Sequence, residues 1–140
     1  PVASVGRPDR GRSVTNSAQH LVEAGRTFSW IYQDRDLESI RRLYHDDAVF
    51  ISPNPPGIRP DFGTTLVGRD EILRFLEATM ETAPPGIMST VALLIGINMV
   101  VWVWQAPQVK GADVMMFDEH GLIVRHHVTA PRPDKPPSAR

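Results

Sequence analysis

The chain has no cysteine. That excludes disulfides, thiolate nucleophiles and metal sites built on sulfur, and it leaves the redox compartment open. An excess of charge of one sign is missing too, since 15 Lys and Arg stand against 16 Asp and Glu for a formal net charge of −1. With no field of either sign to gather nucleic acid or an anionic membrane surface, neither is expected as a partner. Long hydrophobic runs are also absent. The most apolar stretch, Val91 to Trp104, is interrupted by Gly96 and Asn98 and falls short of the roughly 20 residues a spanning helix needs, so it reads as a hairpin. Pro1 to Gln19 holds no apolar segment, so no signal peptide is expected and the cytoplasm is the expected location. No cofactor motif or internal repeat occurs, and no cofactor is expected.

What remains is an ordinary globular composition, 140 residues with 41% hydrophobic and 22% charged side chains, enough for one core and too little for two. Residues 1–16 and 131–140 are rich in Pro, Arg, Ser and Gly and are expected to be flexible tails around a single domain at 17–130. Within that domain Leu21, Ala24, Phe28 and Ile31 recur at helical spacing, which predicts a helix from Ser17 to about Gln33. Asp36 reads as the N-cap of a second, shorter helix carrying Leu37, Ile40, Leu43 and Tyr44. Ala48 to Ser52 reads as a strand, Pro53 to Gly68 as a loop, and Arg69 to about Glu81 as a third helix with Asp70 and Glu71 in its first turn. Four strand-like runs follow: Ser89 to Ile95, Met99 to Gln105, Ala112 to Phe117 and Leu122 to Ala130. Helices first and sequential strands afterwards predict an α+β domain whose helices cover one face of a sheet.

The last two runs carry the chemistry. With a tight turn at Asp118-Glu119-His120-Gly121 closing over two or four residues, Phe117 faces Leu122, Met115 faces Val124, and Asp113 faces His126. A three-residue turn or a bulge would put Arg125 opposite Asp113 instead. One face then holds Asp113, Met115, Phe117, Leu122, Val124, His126 and Val128. An acid and a histidine among apolar groups imply a buried face or the wall of an apolar pocket.

L-Y-H-D-D-A-V-F (Leu43 to Phe50), V-G-R-D-E-I (Val67 to Ile72) and D-V-M-M-F-D-E-H-G (Asp113 to Gly121), in this order and spacing, resemble the NTF2-like superfamily, in particular its SnoaL-like and ketosteroid isomerase members. The resemblance covers about residues 18 to 130. It implies a cone, a curved and mostly antiparallel sheet wrapped around three helices, with a deep apolar cavity and usually a homodimer. In ketosteroid isomerase an uncharged carboxylic acid and a tyrosine donate hydrogen bonds to the oxyanion while a second aspartate moves the proton. Asp113 matches the carboxylic acid and Tyr44 a supporting tyrosine, whereas Phe28 replaces the donor tyrosine, Ser52 the shuttling aspartate, Leu76 another tyrosine, and His126 an apolar cavity residue. The aspartate that epoxide hydrolases and polyketide cyclases of this superfamily carry on the last strand is replaced by Val128.

The expected catalytic pair is therefore Asp113 and His126, the carboxylate holding one imidazole nitrogen while the other faces the ligand as a general base. A lone carboxyl in an apolar wall has its ionised form disfavoured, which suits acid, base or neutral-donor roles. The bland reading keeps both as satisfied cavity liners. Phe28, Trp30, Tyr44, Phe50, Ser52, Trp102, Trp104, Met115 and Val128 are the expected substrate-binding residues, with Asn54 a further polar candidate. A metal is not expected, because His126 and His127 sit on opposite faces of one strand. The sequence supports a proton-transferring isomerase, cyclase or lyase for a hydrophobic carbonyl-type small molecule, and alternatively a non-catalytic ligand-binding or dimerisation module or an epoxide hydrolase-like enzyme.

Overall fold

The computed structural model describes residues 17–53, 61–84 and 86–131. The expected tails and Asn54 lie outside these, apart from the exposed Pro131.

Helix α1 (Ala18–Ser29) starts where the Ser17 hydroxyl accepts the His20 N–H at 3.1 Å, and it buries Leu21, Ala24, Gly25 and Phe28. The single helix predicted through Gln33 is broken at Trp30, and a short helix α2 (Ile31–Asp34) follows, ended by Arg35 in the left-handed region. Helix α3 (Leu37–Arg41) is capped by Asp36 as expected, its side chain accepting the Ser39 N–H. Tyr44 does not continue that helix. It opens strand β1 (Tyr44–Ile51), because the Leu43 carbonyl accepts the Ile123 N–H at 2.7 Å and draws the chain into the sheet. Local spacing fits both choices, and the distant strand decides between them.

Strand β2 (Thr65–Val67) lies inside the segment predicted as loop, and helix α4 (Arg69–Thr82) follows it. Four strands complete the fold: β3 (Ser89–Gly96), β4 (Met99–Ala106), β5 (Val109–Phe117) and β6 (Ile123–Thr129). The sheet order is β2-β1-β6-β5-β4-β3, antiparallel at every junction except β1 with β6. This is the expected α+β cone, an open curved sheet with the helices in its concavity. Glycine at 25 lets α1 approach the sheet, since a Cβ there would lie 2.9 Å from a Val100 methyl and 3.0 Å from one of Leu93.

The predicted register of the β5–β6 hairpin is not the observed one. The Asp118 carboxylate accepts the N–H groups of His120 and Leu122, Gly121 adopts a φ of 79°, and the Asp118 N–H closes the loop on the Leu122 carbonyl. A bulge beyond this loop leaves Phe117 paired with Ile123, Met116 with Arg125, Met115 with His126, and Asp113 with Val128. Ile123 is thus the buried residue, in place of the predicted Leu122 and Val124. The shift at Asp113 amounts to two residues, an even number, so Asp113 and His126 stay on one face.

Candidate active site

Between the helices and the inner face of the sheet lies a cavity of about 440 Å³. Phe28, Phe50, Ser52, Trp102, Trp104, Asp113 and Val128 line it. Tyr32, Phe75 and Thr79 line it as well and were not singled out in the sequence. Tyr32 follows Phe28 by four residues and Thr79 follows Phe75 by four, so the helical stripe was the available signal.

Strand alternation brings Trp102 and Trp104 inward from β4 and Asp113 inward from β5. Gly111 leaves room for the Trp104 indole, whose Cζ2 lies 2.5 Å from where a Cβ would stand. The Trp104 Nε1–H donates to Asp113 Oδ1 at 2.8 Å. The other carboxylate oxygen, Oδ2, lies 2.7 Å from His126 Nε2. In this register the two residues are diagonal neighbours, still within reach of long side chains. Asp113 is therefore not the lone carboxyl of an apolar wall, because two N–H donors hold it.

His126 does not face the cavity. It is 0% exposed, with the Phe28 ring 5.0 Å and the Phe50 ring 4.7 Å away by centroid, and its Nδ1 lies 2.6 Å from the Tyr44 hydroxyl. The expected arrangement is thus reversed: the carboxylate lines the cavity and the imidazole stands behind it. Tyr44 and Met115 are buried behind the wall with it, outside the cavity lining. Trp30 is 48% exposed and borders a separate outer groove with Glu23 and Asp34. It is a surface residue because the break after α1 turns it away from the core.

Burial holds the Tyr44 phenol well above its ordinary value of 10.0, and the charges of Asp113 and Tyr32 act in the same direction. Tyr44 therefore keeps its proton and donates it to Nδ1, leaving Nε2 to carry the hydrogen directed at Asp113. Trp104, Asp113, His126 and Tyr44 form one chain in which every donor has an acceptor. Because the raised phenol stabilises the fold below the unfolded value near 10, that contribution is lost as pH rises above it, where the unfolded phenol ionises first. Tyr44→Phe is expected to flatten the fall in urea midpoint between about pH 9 and 11, and an unchanged slope would refute this assignment.

Among the described residues no three of His, Asp and Glu converge as metal ligands, and no helix is long and apolar enough to cross a membrane.

Comparison with solved structures places this geometry among known folds. A SnoaL-like protein of unknown function from Burkholderia thailandensis superposes with a TM-score of 0.71 at 17% identity, over 84% of this chain and 98% of that one. A steroid delta-isomerase from Pseudomonas aeruginosa gives a TM-score of 0.61 at 21% identity, over 81% of each chain. An NTF2-like protein of unknown function from Burkholderia xenovorans gives 0.64 at 15% identity, over 85% of this chain and 88% of that one. Identities this low speak to the fold alone. No curated protein sequence matches. Residues 25–126, from the middle of α1 to the buried histidine of β6, match the family described as a SnoaL-like domain, and the chain belongs to that family.

Proposed function

We propose that this protein is a cofactor-independent enzyme that moves a proton on a hydrophobic carbonyl compound of polyketide, terpenoid or steroid-like build, as an isomerase, cyclase or lyase. The observation that carries this reading is Asp113. Among the described lining residues it is the one carboxylate, 6% exposed, on a wall made mostly of apolar side chains. Trp104 and His126 fix its orientation, and a remaining lone pair is free to take a proton from a carbon next to the carbonyl. His126 is a positioning residue in this scheme, and Tyr44 fixes its tautomer. Val128 sits beside Asp113 on the lining and supplies no acid, which weighs against epoxide opening. In heavy water, 2-tetralone incubated with the protein is expected to exchange its α-hydrogens faster than in buffer. Exchange no faster than buffer, for 2-tetralone and for a steroid enone, would remove the reading.

The non-catalytic alternative, a dimerising module, draws on the outer face of the sheet. Leu94, Val101 and Val114 form one cross-strand row there, ending at His127, and Leu94 is 54% exposed. A homodimer across this face is compatible with either reading, since such a row is apolar surface that a partner would cover. Leu94→Glu is expected to convert a dimer to monomer in size-exclusion chromatography with light scattering. An unchanged mass would place any self-association elsewhere.

A further inference from the structure

The polar chain in the cavity wall carries a net charge. Tyr44 donates to Nδ1 of His126, so the imidazole is neutral, and the Trp104 indole is a neutral donor as well. Their N–H groups end on Asp113, one on each oxygen, at 2.7 and 2.8 Å, which is the pattern of an ionised carboxylate. The described lining of the cavity holds no Lys, Arg or His. One negative charge, on a side chain almost out of water, thus faces an apolar space with no cation to balance it.

We infer that the cavity is a receptor for an organic monocation, a protonated amine carried on a flat aromatic body, with its ammonium N–H on Asp113. Phe28, Trp102 and Trp104 follow one another along the wall, with ring centroids 5.9 and 6.5 Å apart, and they take the hydrocarbon body. The carboxylate supplies the charge. In such an enclosure a cation facing it is screened less than at the surface, and a neighbouring ring face adds to the attraction. Thr79 gives its one hydroxyl proton to the Leu76 carbonyl at 2.7 Å, so toward the cavity its oxygen is an acceptor too. A volume of about 440 Å³ lies in the range of small-molecule sites.

The sign of the charge selects the ligand. An anion meets repulsion, and a neutral molecule leaves the carboxylate unbalanced. The cost of taking Asp113 out of water is met when the chain folds, so an incoming ammonium brings only its own desolvation. This inference goes beyond the proton-transfer reading and does not rest on it. It bears on that reading all the same, because an ammonium on Asp113 occupies the lone pair that would take a carbon-bound proton.

Three probes of nearly one shape separate charge from fit: 1-(2-naphthyl)ethylamine, protonated at neutral pH, 2-acetylnaphthalene, neutral, and 2-naphthoate, anionic. Calorimetric titration is expected to give the amine about 10- to 100-fold tighter than the ketone, the scale of a hydrogen bond between charged groups, with the naphthoate weakest. In 15N-labelled protein the amine is expected to move the Trp104 indole resonance most of the three tryptophans, since Trp104 shares the carboxylate. Asp113→Asn is expected to bring the amine down to the affinity of the ketone. If that variant does not fold, the wild-type affinities and the Trp104 shift decide. Ketone or naphthoate bound as tightly as the amine, or no binding of any probe, would overturn the inference. So would an amine preference that outlasts Asp113→Asn, or a shift centred on Trp30, which borders the outer groove with Glu23 and Asp34. Amine binding at Asp113 without deuterium exchange of 2-tetralone would uphold the receptor and remove the enzyme. Exchange that saturating amine leaves unchanged would do the reverse.

Discussion

Asp113→Asn is expected to lower deuterium exchange of 2-tetralone by about 10²- to 10⁴-fold, the usual worth of a positioned general base. Asparagine keeps the volume of the wall but has no basic lone pair that can take a carbon-bound proton. The substitution also disturbs the polar chain. Two N–H groups, from Trp104 and His126, converge on Asp113, and an amide can accept only through its oxygen. One donor then meets an NH2 group unless His126 changes tautomer, and that change would turn an N–H toward Tyr44. A modest loss of stability should accompany the loss of rate, and the two are separable because 2-acetylnaphthalene binding reports an intact cavity. If exchange persists at the wild-type rate while the fold is intact, Asp113 is not the base and the proposed mechanism is lost.

Removal of the imidazole should cost the fold most. His126→Leu is expected to destabilise the protein by about 3–5 kcal/mol, because it leaves two buried groups short of a hydrogen-bond partner at about 1–3 kcal/mol each. His126 is fully buried and its side chain ends within 2.7 Å of Asp113 Oδ2. Leucine would leave that oxygen without a donor and the Tyr44 hydroxyl without an acceptor. The double variant Asp113→Leu, His126→Leu should recover part of the loss, since two apolar groups need no partners. A urea titration of the wild type, both single variants and the double variant measures the coupling directly. Additive losses would mean that the 2.7 Å contact does not couple the two residues energetically. Because His126 lies behind the carboxylate, its substitution should also reduce exchange through the orientation of Asp113, a loss that added imidazole does not restore.

Legibility in the sequence followed the range of the forces involved. Helical stripes at Leu21, Ala24 and Phe28, the cap at Asp36, the acids at the start of α4 and the alternation of the last four strands are set by neighbours a few residues away, and these elements appeared close to where they were predicted. Asp113, Met115, Phe117 and His126 were placed on one face for the same reason, since alternation survives any even shift of register. Tyr44 was misplaced because its environment is made by β6, about eighty residues further on. Strand β2 was missed because three residues between turn formers carry no pattern of their own, and it exists by pairing with β1.

The composition and local pattern of the chain alone determined an α+β domain with inward-facing aromatic rings, an acid and a histidine on the final hairpin, and no means of thiol chemistry. Which of those two groups lines the cavity was decided only in three dimensions. The Asp118 side chain and the bulge reset the hairpin by two residues, and the Phe28 and Phe50 rings closed over the imidazole. Tyr44 then arrived from the far side to take its second nitrogen. Each of these contacts joins segments distant in sequence, and hydrogen bonds between buried groups depend on distances of tenths of an ångström that residue spacing does not encode.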